Sequence, residues 1–185
     1  MPALSATAAA RDGNLRYVYL GSASKILAPG LRVAWLTTPD AEFFAKLVTA
    51  KQAVDLHTSS FTQRIVWEYV NKPGRLDAHV RRLRATYAAR RDAMLAALAR
   101  HLPDGCRWSR PEGGMFLWVT LPPAVDTVEL LREASREGIA FVPGAPFTVR
   151  EGGARNTMRL NFSNAGEPRI ETGIARLGRV VRAIK

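Results

Sequence analysis

The 185-residue chain has little of what disulfide-rich, metal-binding and membrane proteins need. Its one cysteine, Cys106, cannot form an intrachain disulfide. Its three histidines, His57, His79 and His101, are scattered, and no cysteine–histidine cluster has the spacing of a zinc site. No apolar run reaches the length of a membrane span, and residues 1–10 lack the basic start of a secretory signal. We therefore expect a cytoplasmic protein with no metal centre and no membrane contact.

Acidic residues are also scarce, since 16 of them face 27 lysines and arginines, for a net charge of +11. A positive field of this size could attract nucleic acid or an acidic substrate, and the alternative is a solvated, arginine-rich surface. The aromatic residue among the arginines of residues 81–91, Tyr87, falls on the apolar face predicted for this helix, so no aromatic residues interleave with the arginines in the way that stacking on bases would need. We favour the solvated surface, and nucleic acid is not the expected partner.

The hydrophobic pattern predicts strands that alternate with helices, which is typical of an α/β fold. Residues 1–14 are rich in small residues and are predicted to be a disordered lead-in. The Lys-Pro-Gly-Arg sequence at 72–75 interrupts the helical pattern and indicates a boundary between regions 15–72 and 73–185. The predicted strands cover residues 16–21, 31–38, 115–121, 140–142 and 157–163, and the predicted helical regions cover 39–70, 76–102, 126–137 and 167–184.

The loop between the first two strands carries the most informative chemistry. Ser22 and Ser24 precede Lys25, and a Pro-Gly pair bends the chain back toward Arg32. A lysine between apolar strands can be partly desolvated, which lowers its pKa and favours the nucleophilic amine. Serine hydroxyls and a guanidinium suit a phosphate dianion. The loop therefore indicates a phosphorylated aldehyde cofactor such as pyridoxal phosphate, and an exposed turn without function is the alternative.

Five ordered segments resemble the signatures of fold-type I, class I/II aminotransferases. The first is the Ser-x-Ser-Lys sequence followed by Pro-Gly-x-Arg, which resembles the cofactor-lysine motif of that family. The others resemble the branch that contains 2-aminoadipate and aromatic aminotransferases. The five segments are residues 21–32, 51–60, 111–118, 141–147 and 156–163.

The resemblance implies a role for each matching residue. Lys25 would bind the aldehyde of pyridoxal 5'-phosphate and later act as the proton shuttle. Ser22 and Arg32 would hold the cofactor phosphate, and Ser24 belongs to the same motif. Arg159 would bind the substrate α-carboxylate through two parallel hydrogen bonds. The implied activity is amino-group transfer from an α-amino acid to a 2-oxo acid.

The resemblance also implies a particular architecture. Residues 15–72 would be the remnant of a large cofactor-binding domain, and 73–185 a complete small α/β sandwich domain. Only 24 residues precede Lys25, so we expect an N-terminally truncated chain that exposes two strands of a parallel sheet. Such a chain is expected to aggregate, to form a homodimer or to need its missing half, and activity on its own is not expected. The alternative function is the aminotransferase-like effector domain of a winged-helix transcription regulator, which upstream sequence would reveal.

Overall fold

The computed structural model describes residues 17–149 and 152–184. The predicted lead-in over residues 1–14 lies outside the described residues. The chain divides into two compact units, one up to Arg81 and the other from Arg82 onward.

The first unit begins with an antiparallel hairpin of strands β1 (Tyr19–Ser22) and β2 (Ala34–Thr37). Both predicted strands are present, but they are shorter than expected and pair antiparallel to each other. The second strand starts late because Pro29–Leu31 forms a 3-10 turn and Arg32 has a positive φ of 53°. The proline fixes the φ that such a turn requires, so the Pro-Gly pair does reverse the chain as expected.

Two helices, α1 (Ala41–Asp55) and α2 (Ser60–Val70), occupy the region predicted to be one helical stretch. Helix α1 begins at Asp40, whose Oδ1 accepts a hydrogen bond from the Phe43 backbone N–H at 2.9 Å. It ends because Leu56 adopts φ 57° and ψ −61° while the next N–H donates to the Asp55 carbonyl at 2.6 Å. This is a classic γ-turn, a strained geometry that breaks the helix where the sequence has neither glycine nor proline.

The second unit contains a four-stranded antiparallel sheet of order β3-β4-β6-β5. A long helix, α3 (Arg75–His101), starts before the boundary at Arg82 and leads into the sheet, and two further helices connect or follow its strands. These elements confirm the expected α/β fold, and β3 is an addition that the hydrophobic pattern did not indicate. Their bounds are α3 (Arg75–His101), β3 (Arg107–Trp108), β4 (Phe116–Thr120), α4 (Thr127–Arg136), β5 (Val142–Pro143), β6 (Thr157–Asn161) and α5 (Glu167–Ala183).

The core of this unit lies between one face of the sheet and helices α3 to α5. Alternate residues of β4 and β6 enter it, since successive side chains of a strand point to opposite faces. Helix α5 contributes the apolar face that its sequence predicts. The main core residues are Leu98, Leu117, Val119, Leu130, Met158, Leu160, Phe162, Ile170, Ile174, Leu177 and Val181. The other face of the sheet carries the half-buried Phe116, Trp118 and Arg159.

The first unit has almost no core of its own. Ala23 is the one buried residue among residues 17–81. Large apolar side chains on both helices stay exposed, including Phe61 at 75% and Val54 at 81%. Within residues 17–149 and 152–184, no helix has the length and apolar character needed to cross a bilayer.

Candidate functional site

The predicted cofactor lysine lies on a tight turn that begins where β1 ends. The Leu27 N–H donates to the Ala23 carbonyl at 2.8 Å, and the Ala23 N–H donates to the carbonyl of Val33, just before β2, at 3.0 Å. Ser22 Oγ accepts a hydrogen bond from the Ser24 N–H at 3.1 Å, which fixes the start of the turn. Lys25 at its centre is exposed, so the expected desolvation of its amine is not found in this unit. The turn presents the lysine to solvent.

Ser22 and Arg32 line one cavity of about 650 Å³ in the first unit. Ser24 and Lys25 are not among the residues that line it. The cavity lies between the hairpin and helix α1, which adds Lys51 to its wall. Sequence reasoning missed Lys51, although it begins the second of the five family-like segments.

The side chains of this cavity match the needs of a phosphate dianion. Ser22 offers a hydroxyl, Arg32 a guanidinium and Lys51 an ammonium group that pairs with Asp55. No acidic side chain lines the cavity within the described chain. The Arg32 guanidinium donates to the Pro29 carbonyl at 3.2 Å, its one side-chain hydrogen bond to a described residue, so further N–H groups remain for a ligand. The residues present therefore fit the phosphate of the expected cofactor.

Arg159 lies at the centre of the second unit's sheet, on β6, opposite Trp118 of β4 and Val142 of β5. Its guanidinium carbon lies 4.1 Å from the ring centroid of Phe116 and 4.8 Å from that of Phe147. The guanidinium thus makes cation–π contacts with two aromatic rings.

No acidic side chain pairs with Arg159 in the described part of the chain. Its Nε is buried and has no hydrogen-bond partner there. A half-buried guanidinium without an acidic partner is costly unless an anion completes the site. The arrangement is therefore suited to binding a carboxylate.

Phe147 reaches this position because of the turn that follows β5. Gly144 is buried, and its N–H donates to the Thr157 carbonyl at 2.7 Å. A Cβ on Gly144 would lie 1.8 Å from Thr157 Oγ1 and 2.9 Å from the Ala154 carbonyl oxygen, so a larger residue fits only if these atoms move. The following 3-10 turn, Ala145–Phe147, then places the Phe147 ring edge-on to Trp118, with the centroids 5.4 Å apart. Sequence reasoning missed this contact, although Phe147 ends one of the family-like segments.

The sequence-predicted residues fall into two sets. Ser22, Ser24, Lys25 and Arg32 belong to the first unit, and Arg159 belongs to the second. Within the first set, Ser22 and Arg32 line the described cavity, and Ser24 and Lys25 do not. The first set is suited to a phosphate and an aldehyde, and Arg159 is suited to a carboxylate.

Comparisons with known proteins match the chain, across both units, to one family. The family described as aminotransferase class I and II matches residues 3–177. Aromatic-amino-acid aminotransferase 1 of Thermococcus litoralis is 47% identical over 171 residues, which are 92% of this chain and 40% of that protein. The uncharacterised HTH-type transcriptional regulator YdfD of Bacillus subtilis is 31% identical over 94% of this chain and 35% of its own length.

A solved structure agrees with these sequence matches. The crystal structure of the α-aminoadipate aminotransferase LysN of Thermus thermophilus, complexed with N-(5'-phosphopyridoxyl)-L-leucine, is similar with a TM-score of 0.88. It is 41% identical, and the match covers 99% of this chain and 46% of that one. This chain spans about two fifths of the length of the curated relatives it matches. It belongs to the class I and II aminotransferase family.

Proposed function

We propose that this chain carries the cofactor lysine and the carboxylate-binding arginine of a pyridoxal-phosphate-dependent aminotransferase. The proposed reaction transfers an amino group from an α-amino acid to a 2-oxo acid. The observation that carries the proposal is the cavity lined by Ser22 and Arg32, which has no acidic wall residue in the described chain. Ser22 lies three residues before Lys25. The family membership supports it.

Ser22 and Arg32 would hold the cofactor phosphate, since a hydroxyl and a guanidinium both donate hydrogen bonds to its oxygens. The Ser24 N–H, which donates to Ser22 Oγ, orients that hydroxyl. When bound, pyridoxal phosphate supplies an aldehyde and an electron-withdrawing ring that accepts charge from the substrate α-carbon. Lys25 Nζ would hold the aldehyde carbon between turnovers and move the proton that leaves the substrate α-carbon.

Arg159 would bind the α-carboxylate of either substrate. A planar guanidinium forms two parallel hydrogen bonds to a carboxylate, which fixes the orientation of the molecule as well as its position. The same group serves the amino acid and the oxo acid because both carry a carboxylate on the reacting carbon.

We further propose that residues 15–72 belong to the large cofactor-binding domain and 73–185 to the small domain. A homodimer is proposed as the active form, since the exposed apolar side chains of the first unit can be buried against a second subunit. A cytoplasmic location is proposed on the single free cysteine, Cys106, which suits a reducing compartment.

A role as the effector domain of a transcription regulator is the second candidate. The 31% identity to an HTH-type regulator supports it. The 47% identity to an aminotransferase favours the enzyme. Both candidates would use the same lysine turn, so the experiment below tests the site that they share.

The test is chemical labelling of the full chain with pyridoxal phosphate, followed by borohydride reduction and peptide mass mapping. The chain has five lysines, so each adduct can be assigned. We expect saturable labelling of Lys25 at concentrations where the exposed Lys72 is little labelled. Pyridoxal, which lacks the phosphate, serves as the matched probe and should label Lys25 about tenfold less efficiently.

Two variants separate the roles of the residues. Arg32→Gln should remove most of the advantage of pyridoxal phosphate over pyridoxal, while Lys72→Ala should leave it unchanged. Lys25→Ala should abolish the saturable adduct. Equal labelling of Lys25 and Lys72, with the same dependence on both probes, would overturn the proposed cofactor site.

A further inference from the structure

The aromatic contacts of Arg159 suggest how this arginine is held ready for its ligand. Phe116 belongs to β4 and is fixed by the pairing of that strand with β6. Phe147 instead lies on a short turn and is 48% exposed. The two rings contact the same guanidinium at 4.1 and 4.8 Å. One ring is therefore a fixed part of the sheet, and the other is supplied by a turn.

We propose that Phe147 is a positioning residue for Arg159, holding the guanidinium against Phe116 for the incoming carboxylate. This inference rests on the carboxylate-binding role proposed for Arg159. It goes beyond that role because it identifies the residue that orders the arginine before the ligand arrives.

Two physical effects follow from the clamp that Phe116 and Phe147 form around Arg159. An arginine side chain loses considerable rotamer entropy when a ligand immobilises it, and a side chain that is already immobilised avoids that loss on binding. The rings also exclude water from one side of the guanidinium, which strengthens its attraction to an anion. Nε is the enclosed atom that lacks a partner, so the ligand is expected at the terminal nitrogens.

The turn that presents Phe147 is built to stay in place. The Phe147 N–H donates to the Gly144 carbonyl at 2.9 Å, and the Thr148 N–H donates to the Ala145 carbonyl at 3.2 Å. Gly144 is itself anchored to Thr157 on β6, two residues before Arg159. The backbone of the turn is thus tied to the strand that carries the arginine, and Phe147 can be changed without removing a core residue.

The experiment follows the Nε–H signal of Arg159 in the ¹H–¹⁵N NMR spectrum of the full chain, assigned by its loss in Arg159→Lys. In the native chain the rings should shift this proton away from the position of a solvent-exposed arginine. Phe147→Leu keeps apolar volume but removes the ring, so the proton should move toward the solvent-exposed position. Phe147→Tyr keeps the ring and should retain the native shift. Phe61→Leu, at another exposed phenylalanine, is the matched control and should change nothing.

Acetate is the probe of the second measurement, because it presents a carboxylate and needs no cofactor. Its titration midpoint, read on the same Nε–H signal, should be roughly three- to tenfold weaker in Phe147→Leu, which is the effect of losing one cation–π contact. Phe147→Tyr should bind acetate as the native chain does. An unchanged Nε–H position or an unchanged acetate midpoint in Phe147→Leu would overturn the inference. Failure of Lys25 labelling, with the acetate results as expected, would instead overturn the proposed function and leave the clamp standing.

Discussion

A single buried hydroxyl joins helix α4 to the loop before β6. Thr127 is fully buried, and its Oγ1 and its backbone N–H both donate to the Arg155 carbonyl at 2.8 Å. Thr127→Val keeps the shape and the backbone bond but loses the hydroxyl bond. We expect a loss of about 1 kcal/mol in the free energy of unfolding. Urea denaturation measures this loss. The control is Thr172→Val, at an exposed threonine of α5, which should change the free energy of unfolding by less than about 0.5 kcal/mol.

The carboxylate of Asp126 makes this same junction sensitive to pH. The Arg155 guanidinium donates to Asp126 at 2.6 Å, and the Val128 N–H donates to it at 2.8 Å. The Arg155 contact first, and then the backbone contact, lower the pKa of Asp126 below that of a free carboxyl. The ionised form is therefore favoured in the folded chain, so Asp126 contributes stability above the unfolded pKa of about 3.9. That contribution is lost as the pH falls through the lower, folded pKa.

The variant Asp126→Asn tests this pH dependence. Asparagine can still cap α4 but carries no charge to titrate. We expect the native chain to lose more stability than the variant as the pH falls from about 5 to below the folded pKa. Glu171, whose pKa is lowered by hydrogen bonds from Arg100 and His101, titrates in both proteins and cancels in the difference. Parallel pH–stability curves for the two proteins would contradict the claim that ionised Asp126 stabilises the fold.

At the scale of elements, the close approach of α3 and α5 depends on one glycine. A Cβ on Gly178 would lie 2.1 Å from the backbone oxygen of His101 at the end of α3. Arg182 of the same helix donates to that oxygen at 2.7 Å, so the junction is both tight and polar. Gly178→Ala should force the helices apart and lower stability by about 1–3 kcal/mol, despite the better helix propensity of alanine.

Gly173 provides the matched control on the same helix. A Cβ placed there meets no packed atom of the described residues within 4 Å, so Gly173→Ala should gain the propensity difference, up to about 1 kcal/mol. Thermal denaturation should show a lower melting temperature for Gly178→Ala and a higher one for Gly173→Ala if the contact at Gly178 sets how closely α3 and α5 approach. Two stabilising shifts would show that the helices can separate without cost.

The elements that the sequence predicts well are those with long, regular hydrophobic patterns. Ile170, Ile174 and Leu177 recur at helical spacing and are all buried on one face of α5. The turn at Leu56 could not be predicted, because its left-handed backbone falls on a residue that ordinarily avoids it. Strand β3 could not be predicted either, since two residues form a strand only through pairing with β4.

The candidate site likewise has a part that the sequence indicates and a part that only the structure shows. Ser22, Lys25 and Arg32 lie within eleven residues of one another, so a local motif can indicate them together. The cavity that contains Ser22 and Arg32 also needs Lys51, which helix α1 brings to it from a distant position in the sequence. The contact of Phe147 with Arg159 depends on the turn at Gly144 and on strand pairing. Such contacts follow from tertiary structure and leave no periodic pattern in the sequence.

At the scale of the whole molecule, burial differs sharply between the two units. The hydrophobic core lies within the second unit, whereas Ala23 is the one buried residue among residues 17–81. Backbone amides exchange with solvent water when local structure opens, and opening is easy where few apolar side chains are buried. We therefore expect amide hydrogens of β4, β6 and α5 to exchange at least about a thousandfold more slowly than those of α1 and α2.

Hydrogen–deuterium exchange of the full chain at two protein concentrations decides how the first unit is stabilised. At low concentration, α2 should exchange rapidly because Phe61 and Trp67 remain exposed at 75% and 47%. If these apolar side chains are buried in the proposed homodimer, protection of α2 should rise with concentration while that of α5 stays constant, since only association is concentration-dependent. Protection of α2 equal to that of α5 at the low concentration would show that the first unit is stable without any partner.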